Sequence, residues 1–254
     1  MDMMKSKNQM ISKKTSIVIA DAGLELIPKE LQTENAVINQ SNKIKKKPSE
    51  LLLDVSYHYN VMKRNNLKEI WKRGRPDIVH LALLTTLSSP LYKSGVSDIY
   101  IHTRNNRVIF LNPKLQVRIP KSYARFEGLF TKLLLEKTII VEKKGIVSNK
   151  DEDYLLKVEN NITFESLKKM INPDITIGFS SRGVKKTFTE VLEQSIMQNN
   201  KNILFVIGGF QHGYFSSDIE KFFDRIFCIS SFNLETHVVL SRLIYEIEKI
   251  MKIF

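Results

Sequence analysis

The fold class of this chain follows from one stretch, Asn202-Ile203-Leu204-Phe205-Val206-Ile207-Gly208-Gly209-Phe210-Gln211-His212-Gly213. Its continuous apolar run, closed by glycines, is typical of a buried strand that ends in a tight loop. The same plan occurs at residues 174–183 and 225–234, with helical segments between the strands. Strands that alternate with helices predict an α/β domain with a mostly parallel sheet flanked by helices.

The ends of these three strands predict a small-molecule site. Each strand closes on glycine or serine, and parallel strands end at the same edge of a sheet. Gly208, Gly209 and Gly213 carry no side chain, so backbone groups can approach a flat ring closely. Neither the G-x-G-x-x-G spacing nor a P-loop is present. The pattern favours a ligand that resembles adenine and is held by the main chain, with ordinary tight turns as the alternative.

The rest of the chain continues the alternation of short apolar strands and amphipathic helices. Residues 99–103 and 107–111 predict a β-hairpin that turns at Asn105-Asn106, because asparagine tolerates positive φ. The other predicted strands are 16–20, 51–56 and 138–141, the predicted helices are 78–87, 126–136 and 239–251, and 35–48 is predicted to be an exposed, lysine-rich loop. The predicted domain organisation is a tail at 1–14 and a single domain at 15–254, with a β-rich insertion at about 97–125 that carries the cluster from Arg118 to Arg125, and a polar boundary at 143–157.

Two helix starts in the last third carry capping signals. Ser217 and Glu220 fit a capping box for a short helix, and Asn233 can cap the terminal helix. In the terminal helix, apolar residues recur at helical spacing from Val239 to Met251. This stripe predicts a core face or a dimer interface.

The composition favours a polyanionic partner. A net charge of +12, from 39 Lys and Arg against 27 Asp and Glu, points to nucleic acid, although a merely basic soluble protein would carry the same charge. The single cysteine, Cys228, excludes an internal disulfide, and five scattered histidines lack metal-ligand spacing, so no metal is predicted. The N-terminal segment lacks the apolar core of a signal peptide, and no apolar run approaches the ~20 residues of a membrane span. We therefore expect a soluble, cytoplasmic protein without a membrane partner.

Two basic stretches predict where nucleic acid binds. In Gly74-Arg75-Pro76-Asp77-Ile78-Val79-His80, the proline starts a helix, and Arg75 and Asp77 lie at its entrance, where they can pair. In Arg118-Ile119-Pro120-Lys121-Ser122-Tyr123-Ala124-Arg125-Phe126, three cations lie three and four residues apart and alternate with Tyr123 and Phe126. Cations with stacking aromatics are typical of an RNA-binding face. The alternatives are an ion pair without a substrate and a solvated basic edge.

Over nearly its whole length the chain resembles the Nep1/Emg1 family of SPOUT-class ribosomal RNA pseudouridine N1-methyltransferases, and it looks like an archaeal member. The resemblance is carried by seven ordered matches: Leu52-Leu53-Asp54, Gly74 to His80 with Ser89-Pro90-Leu91, Ile101-His102-Thr103, Asn112-Pro113, Arg118-Ile119-Pro120 to Leu129, Phe205 to Gly213, and Cys228 to Leu234.

The resemblance implies a SPOUT-type fold whose C-terminal part, about residues 174–254, is tied in a trefoil knot and binds S-adenosylmethionine. It also implies a homodimer that acts on a stem-loop of small-subunit, 16S-type ribosomal RNA during ribosome biogenesis, with a ribosomal protein as a further partner and no DNA. The family's RNA-binding positions correspond to Arg75, Arg118, Lys121 and Arg125, and its catalytic positions to Arg75 and Asp77. Its cofactor-binding positions correspond to Phe179, Gly208, Gly213, Ile229, Ser230, Ser231, Phe232, Asn233 and Leu234.

Asp77 has two candidate roles in such a reaction. It can hold Arg75 in place, or it can act as a general base that removes the proton from the pseudouridine nitrogen. We favour the first role, because a carboxylate that is paired with arginine is a poorer base. A second class of function also stays open, a non-catalytic assembly factor that binds ribosomal RNA with the same fold.

Overall fold

The computed structural model describes residues 14–140, 153–197 and 202–253. Its described strands are β1 (Lys14–Ala22), β2 (Ser97–Thr103), β3 (Arg107–Leu111), β4 (Thr138–Ile140), β5 (Tyr154–Asn160), β6 (Ile175–Lys185), β7 (Asn202–Gly208) and β8 (Arg225–Cys228). Its described α-helices are α1 (Asn35–Ile44), α2 (Val55–Arg64), α3 (Pro76–Ser88), α4 (Pro90–Lys93), α5 (Tyr123–Glu136), α6 (Phe164–Ile171), α7 (Phe188–Met197), α8 (Ser217–Glu220) and α9 (Thr236–Met251).

All of the described strands belong to one sheet with the order β4-β5-β3-β2-β1-β7-β6-β8. The five strands from β2 to β8 in this order pair in parallel. The pairs β2–β3, β3–β5 and β4–β5 are antiparallel. The predicted α/β class, with a mostly parallel sheet between helices, is confirmed.

The central strand β1 is buried on both faces, which explains the apolar run from Ile17 to Ala20. Ile17 and Ile19 pack in the larger core with side chains of α3, α5, α7 and α9. Val18 and Ala20 point to the other face and pack in a smaller core with side chains of α6 and α8. Helices therefore cover both faces and leave the edge where the parallel strands end accessible for a site.

The predicted hairpin is confirmed by β2 and β3, which pair through Tyr100 and Phe110. Asn106 has a φ of 53°, the left-handed conformation that asparagine tolerates in a tight turn. Because β2 also pairs in parallel with β1, the hairpin continues the main sheet. The division of the chain into an insertion and a knotted part stays a prediction.

Two predictions in the N-terminal third are wrong. Residues 35–48 were expected to form a loop, but most of them form α1, in which only Val37 and Ser41 are buried, so its apolar face is small. Residues 51–56 were expected to form a strand, but only Leu52 makes an isolated β-bridge, with Leu26. The chain turns into α2 because the Asp54 side chain accepts a hydrogen bond from the Ser56 amide and caps that helix.

The predicted caps in the last third are also wrong. Helix α8 begins one residue earlier than the capping box requires, since Ser216 is its N-cap residue and the Ser216 hydroxyl is bonded to Asp21. Glu235 takes the N-cap position of α9, two residues after Asn233. The stripe of α9 is confirmed as a core face, because five of its apolar residues are buried: Val239, Leu240, Leu243, Ile244 and Ile247.

Some predictions concern residues outside the described ranges, namely most of the tail at 1–14, Val141 and most of the boundary at 143–157. In the described ranges, no helix combines the length and the apolar character that crossing a membrane requires. A search of the same ranges finds no group of three or more His, Cys, Asp or Glu side chains that could hold a metal.

Candidate functional site

The parallel strands β1, β7, β6 and β8 end at one edge of the sheet, and the loops that follow them are joined there by backbone hydrogen bonds. The Gly209 amide donates to the carbonyl of Ala20 at 2.7 Å, and the Gly23 amide donates to the carbonyl of Gly209 at 3.1 Å. The Arg75 amide donates to the carbonyl of Gly23 at 2.9 Å. The entrance of α3 is therefore fixed against the glycine-rich end of β7.

Arg75 and Asp77 form the ion pair that their spacing predicts. Arg75 donates from Nε to Oδ1 of Asp77 at 2.8 Å and from Nη2 to Oδ2 at 2.7 Å, so the pair is bidentate. The hydrogen bonds from Asp77 raise the pKa of the Arg75 guanidinium, and the charges of Asp77, Glu235 and Asp54 raise it further, against the opposing effect of burial. Glu235 follows the loop after β8, so Arg75 lies within electrostatic reach of the predicted cofactor loop.

Tyr123 connects the second basic stretch to the same region. Its hydroxyl donates to Oδ2 of Asp54 at 2.5 Å. Burial and this hydrogen bond to Asp54 raise the pKa of the Tyr123 phenol, so the hydroxyl keeps its proton and remains a donor. The ring of His80, on α3, lies 2.8 Å from the carbonyl oxygen of Pro120. These two contacts dock residues 118–125 beside the entrance of α3.

The three predicted cations of this stretch, Arg118, Lys121 and Arg125, are exposed. None of them forms an ion pair with a carboxylate in the described ranges. The prediction that the neighbouring aromatics present stacking faces is wrong for Phe126, which is fully buried between the rings of His80 and Phe130. Tyr123 is half-buried, and its hydroxyl is bonded to Asp54. Residues 118–125 therefore offer charge to a polyanion, but no fully exposed aromatic ring.

The predicted cofactor loop after β7 contains glycines at this edge of the sheet, so its backbone is not covered by side chains at Gly208 and Gly213. Gly213 has a φ of +92°, a conformation that favours glycine, and a Cβ atom on Gly208 would lie 2.7 Å from the ring of Phe210, which would have to move. The Gly208 carbonyl accepts a hydrogen bond from the Thr236 hydroxyl at 2.7 Å, which ties the loop to the start of α9. Phe179 lies deeper, buried between Phe188 and Phe205.

The loop after β8, residues 229–234, supplies hydrogen-bond donors. Within the described ranges, the amides of Ser231, Asn233 and Leu234 have no acceptor, whereas the Phe232 amide donates to the Ser230 hydroxyl. The Phe232 ring is 82% exposed. Free amides beside bare glycines are what recognition of a heteroaromatic edge by the main chain requires. The loop thus fits the adenosyl group that the resemblance implies.

Sequence reasoning missed a buried polar cluster behind this edge. The Lys72 ammonium donates to Oδ2 of Asp21 at 2.9 Å and to the Ser216 hydroxyl at 3.0 Å. The Ser216 amide also donates to Asp21, at 2.7 Å. The cluster joins the end of β1, the segment before α3 and the loop after β7. No pattern indicated it, because Asp21 and Ser216 are 195 residues apart along the chain.

Comparisons with known proteins identify the family. The sequence model of the EMG1/NEP1 methyltransferase family matches residues 17–248. The chain belongs to the EMG1/NEP1 methyltransferase family. It is 39% identical to the ribosomal RNA small subunit methyltransferase Nep1 of Staphylothermus marinus, over 94% of this chain and 96% of that protein. It is 38% identical to the protein of the same name from Saccharolobus solfataricus, over 90% and 94% of the two chains.

The crystal structure of Archaeoglobus fulgidus Nep1 bound to S-adenosylhomocysteine has a similar fold. It superposes with a TM-score of 0.77 and 28% sequence identity, and the match covers 94% of this chain and 99% of that one. The family predicted from the seven sequence matches is therefore confirmed, and so is the SPOUT-type α/β fold.

Proposed function

We propose that this EMG1/NEP1 family member transfers a methyl group from S-adenosylmethionine to N1 of a pseudouridine in small-subunit ribosomal RNA during ribosome biogenesis. The observation that carries the proposal is that Arg75 and Asp77 lie at the same sheet edge as the bare glycines and free amides of the cofactor loops. The names of the relatives, which are small-subunit ribosomal RNA methyltransferases, support the substrate class.

The S-adenosylhomocysteine in the Archaeoglobus fulgidus protein supports the cofactor, because it is what remains of S-adenosylmethionine after methyl transfer. In this chain, Gly208, Gly213 and the amides of the loop 229–234 would hold the adenosyl group. When it is bound, the cofactor supplies a sulfonium methyl that is already activated for attack by nitrogen. The residues of the chain then have to align the base and accept its proton or pass that proton to water.

Arg75 is the residue that we assign to holding the RNA at the reacting base. Its guanidinium is only partly buried, with 18% of the side chain exposed, and it retains donors that Asp77 does not use. Asp77 uses both carboxylate oxygens for Arg75, so its geometry supports the positioning role over that of a general base. Alignment of this kind supplies several kcal/mol of a transfer barrier.

Arg118, Lys121 and Arg125 are expected to bind phosphates of the same RNA. If each contacts one phosphate of a single-stranded loop, each alanine variant lowers the dependence of log Kd on log salt by about 0.7. The measurement is filter binding of a stem-loop at several salt concentrations. Lys252 is the matched control, an exposed lysine at the far end of α9 from the site, and Lys252→Ala should leave the slope unchanged. Unchanged slopes in all three variants would contradict the assignment.

Methyl transfer itself is tested with a stem-loop that contains one pseudouridine and an otherwise identical stem-loop that contains uridine. The expected result is a single methyl mass increment on the pseudouridine RNA only. Equal methylation of the uridine RNA would overturn the pseudouridine assignment. RNA and cofactor binding without transfer would favour the assembly-factor alternative.

The homodimer, the trefoil knot, a ribosomal-protein partner and the cytoplasmic location stay predictions that rest on the family resemblance.

A further inference from the structure

Trp71, the single tryptophan of the chain, lies exposed beside the candidate site. It belongs to a short 3-10 helix, Ile70–Lys72, and 48% of its surface is accessible. The next residue, Lys72, is 3% exposed and is held by the buried cluster with Asp21 and Ser216. The backbone at Trp71 is therefore held in place by its neighbour Lys72, while much of the Trp71 ring is exposed to solvent.

The Trp71 ring covers the glycine loop after β7. A Cβ atom on Gly213 would lie 3.4 Å from Cδ1 and Nε1 of Trp71, and the His212 amide lies 3.4 Å from the Trp71 carbonyl oxygen, to which it donates. The Cα atoms of Trp71 and Arg75 are at most about 14 Å apart, because an extended chain spans ~3.3–3.6 Å per residue. The exposed ring thus lies against the predicted cofactor loop at Gly213, on the segment of chain that leads into the arginine that we assign to the reacting base.

The same glycine loop carries a second aromatic residue, which has a cation over its ring. Tyr214, next to Gly213, is 38% exposed, and the guanidinium carbon of Arg182 lies 3.3 Å from the centre of its ring. Arg182 is exposed and forms no ion pair with a carboxylate in the described ranges. We name Trp71, Tyr214 and Arg182 the Trp71 patch.

We propose that the Trp71 patch is a second RNA contact, at which an unpaired base next to the modified nucleotide stacks on Trp71 and its phosphate pairs with Arg182. The inference rests on the proposed function, since it takes ribosomal RNA as the substrate. Unpaired RNA bases stack on exposed aromatic rings and guanidinium planes, and their phosphates need cations without carboxylate partners. The Trp71 patch supplies both features, whereas the aromatics beside Arg118, Lys121 and Arg125 are buried or half-buried. Because Arg182 has no carboxylate partner in the described ranges, the Trp71 patch can bind an anion.

The single tryptophan makes the contact directly observable. Titration of the full chain with a stem-loop that carries an unpaired loop should quench the Trp71 fluorescence, with the same midpoint as binding measured by anisotropy of labelled RNA. Trp71→Ala is expected to raise the Kd by about 5–150-fold, the range for loss of one stacked base. Trp71→Phe should retain most of the affinity, and Arg182→Ala should weaken it and lower its salt dependence. Tyr245→Ala is the control, because Tyr245 is an exposed aromatic on α9 that is absent from the Trp71 patch.

The binding mode is tested with a fully base-paired RNA of the same length. Its affinity should be the same for the wild type and for Trp71→Ala, because paired bases are not free to stack on the ring. Thermal unfolding of each variant verifies that the fold is intact. If Trp71→Ala does not fold, the RNA affinity of Arg182→Ala tests the inference in its place.

An unchanged Kd for both variants, while Arg118→Ala or Arg125→Ala still weakens binding, overturns this inference and leaves the proposed function standing. Absence of RNA binding by the wild type overturns both. Loss of binding to a ribosomal protein with unchanged RNA affinity overturns the RNA assignment of the patch.

Discussion

Asp77→Asn is expected to lower the rate of methyl transfer by about 10²–10³-fold and to raise the Kd for the RNA together with it. Asparagine keeps the size of the side chain but offers one acceptor oxygen and no charge, so the bidentate pair with Arg75 is lost. Hydrogen bonds to charged groups contribute about 1.5–3 kcal/mol, which corresponds to roughly 10–150-fold in Kd if Arg75 then loses its place on the RNA. Single-turnover rates and RNA binding, measured on the same stem-loop, provide the two readouts.

The two roles of Asp77 predict different combinations of these readouts. A general base contributes about 10²–10⁴-fold to the rate and nothing to RNA affinity, so a large loss of rate at unchanged Kd would contradict the positioning role. In that case the rate of Asp77→Asn would also rise more steeply with pH than that of the wild type, because the substrate would have to ionise without help. Arg75→Lys should behave like Asp77→Asn, since lysine cannot form the bidentate pair. Glu165→Gln is the control, because Glu165 is ion-paired with Lys169 on the surface of α6, outside the site.

The parts of the fold that the sequence predicts correctly are those in which one local pattern agrees with the packing. β1 and β7 have continuous apolar runs, Ile17 to Ala20 and Ile203 to Ile207, because both faces of each strand are covered, and the hairpin turns where asparagine tolerates positive φ. Helix α1 was missed because the polar, lysine-rich composition of residues 35–48 is typical of a loop and outweighs the small apolar face around Val37. Leu51, Leu52 and Leu53 are apolar and buried, but within the described part of the chain they pair only with residues 25–27, around the bridge at Leu52, and the chain enters α2 at Val55. Burial alone therefore does not separate a strand from a buried connection.

In the candidate site, contacts between residues that are close in sequence were predictable, and contacts between distant residues were not. The pair of Arg75 and Asp77 was predictable, because the two residues are close in sequence and a proline fixes the helix start between them. The exposure of the aromatics was not predictable, since their spacing does not reveal that α5 turns Phe126 into the core. The position of the Trp71 ring beside Gly213 was likewise not predictable, because the two residues are distant in sequence. Which aromatic rings face a ligand is thus decided by tertiary packing.

Asp21→Asn is expected to lower the free energy of unfolding by about 3–5 kcal/mol, the usual loss when one partner of a buried ion pair is removed. The Lys72 side chain, which is 4% exposed, would keep its burial but lose its carboxylate. Asparagine preserves the size of the side chain and tolerates the φ of 53° that Asp21 adopts, so the backbone adds no strain of its own. Urea unfolding of the variant and the wild type gives the difference, and Glu165→Gln, which breaks an exposed pair, should shift the midpoint little. A variant as stable as the wild type would contradict a stabilising role of the buried pair.

The double variant Asp21→Asn with Lys72→Met separates stability from positioning. Removing both charges together, with an apolar side chain of similar length, should recover most of the lost stability, because no uncompensated charge is left buried. The recovered protein should still transfer methyl groups more slowly than the wild type. The Lys72 ammonium bonds both Asp21 at the end of β1 and Ser216 after β7, and methionine cannot hold the segment that carries Trp71 and Arg75 against those loops. Full stability with a full rate would contradict this role. Full stability with a reduced rate would show that the buried charges are there to place Arg75 and the glycine loop relative to each other.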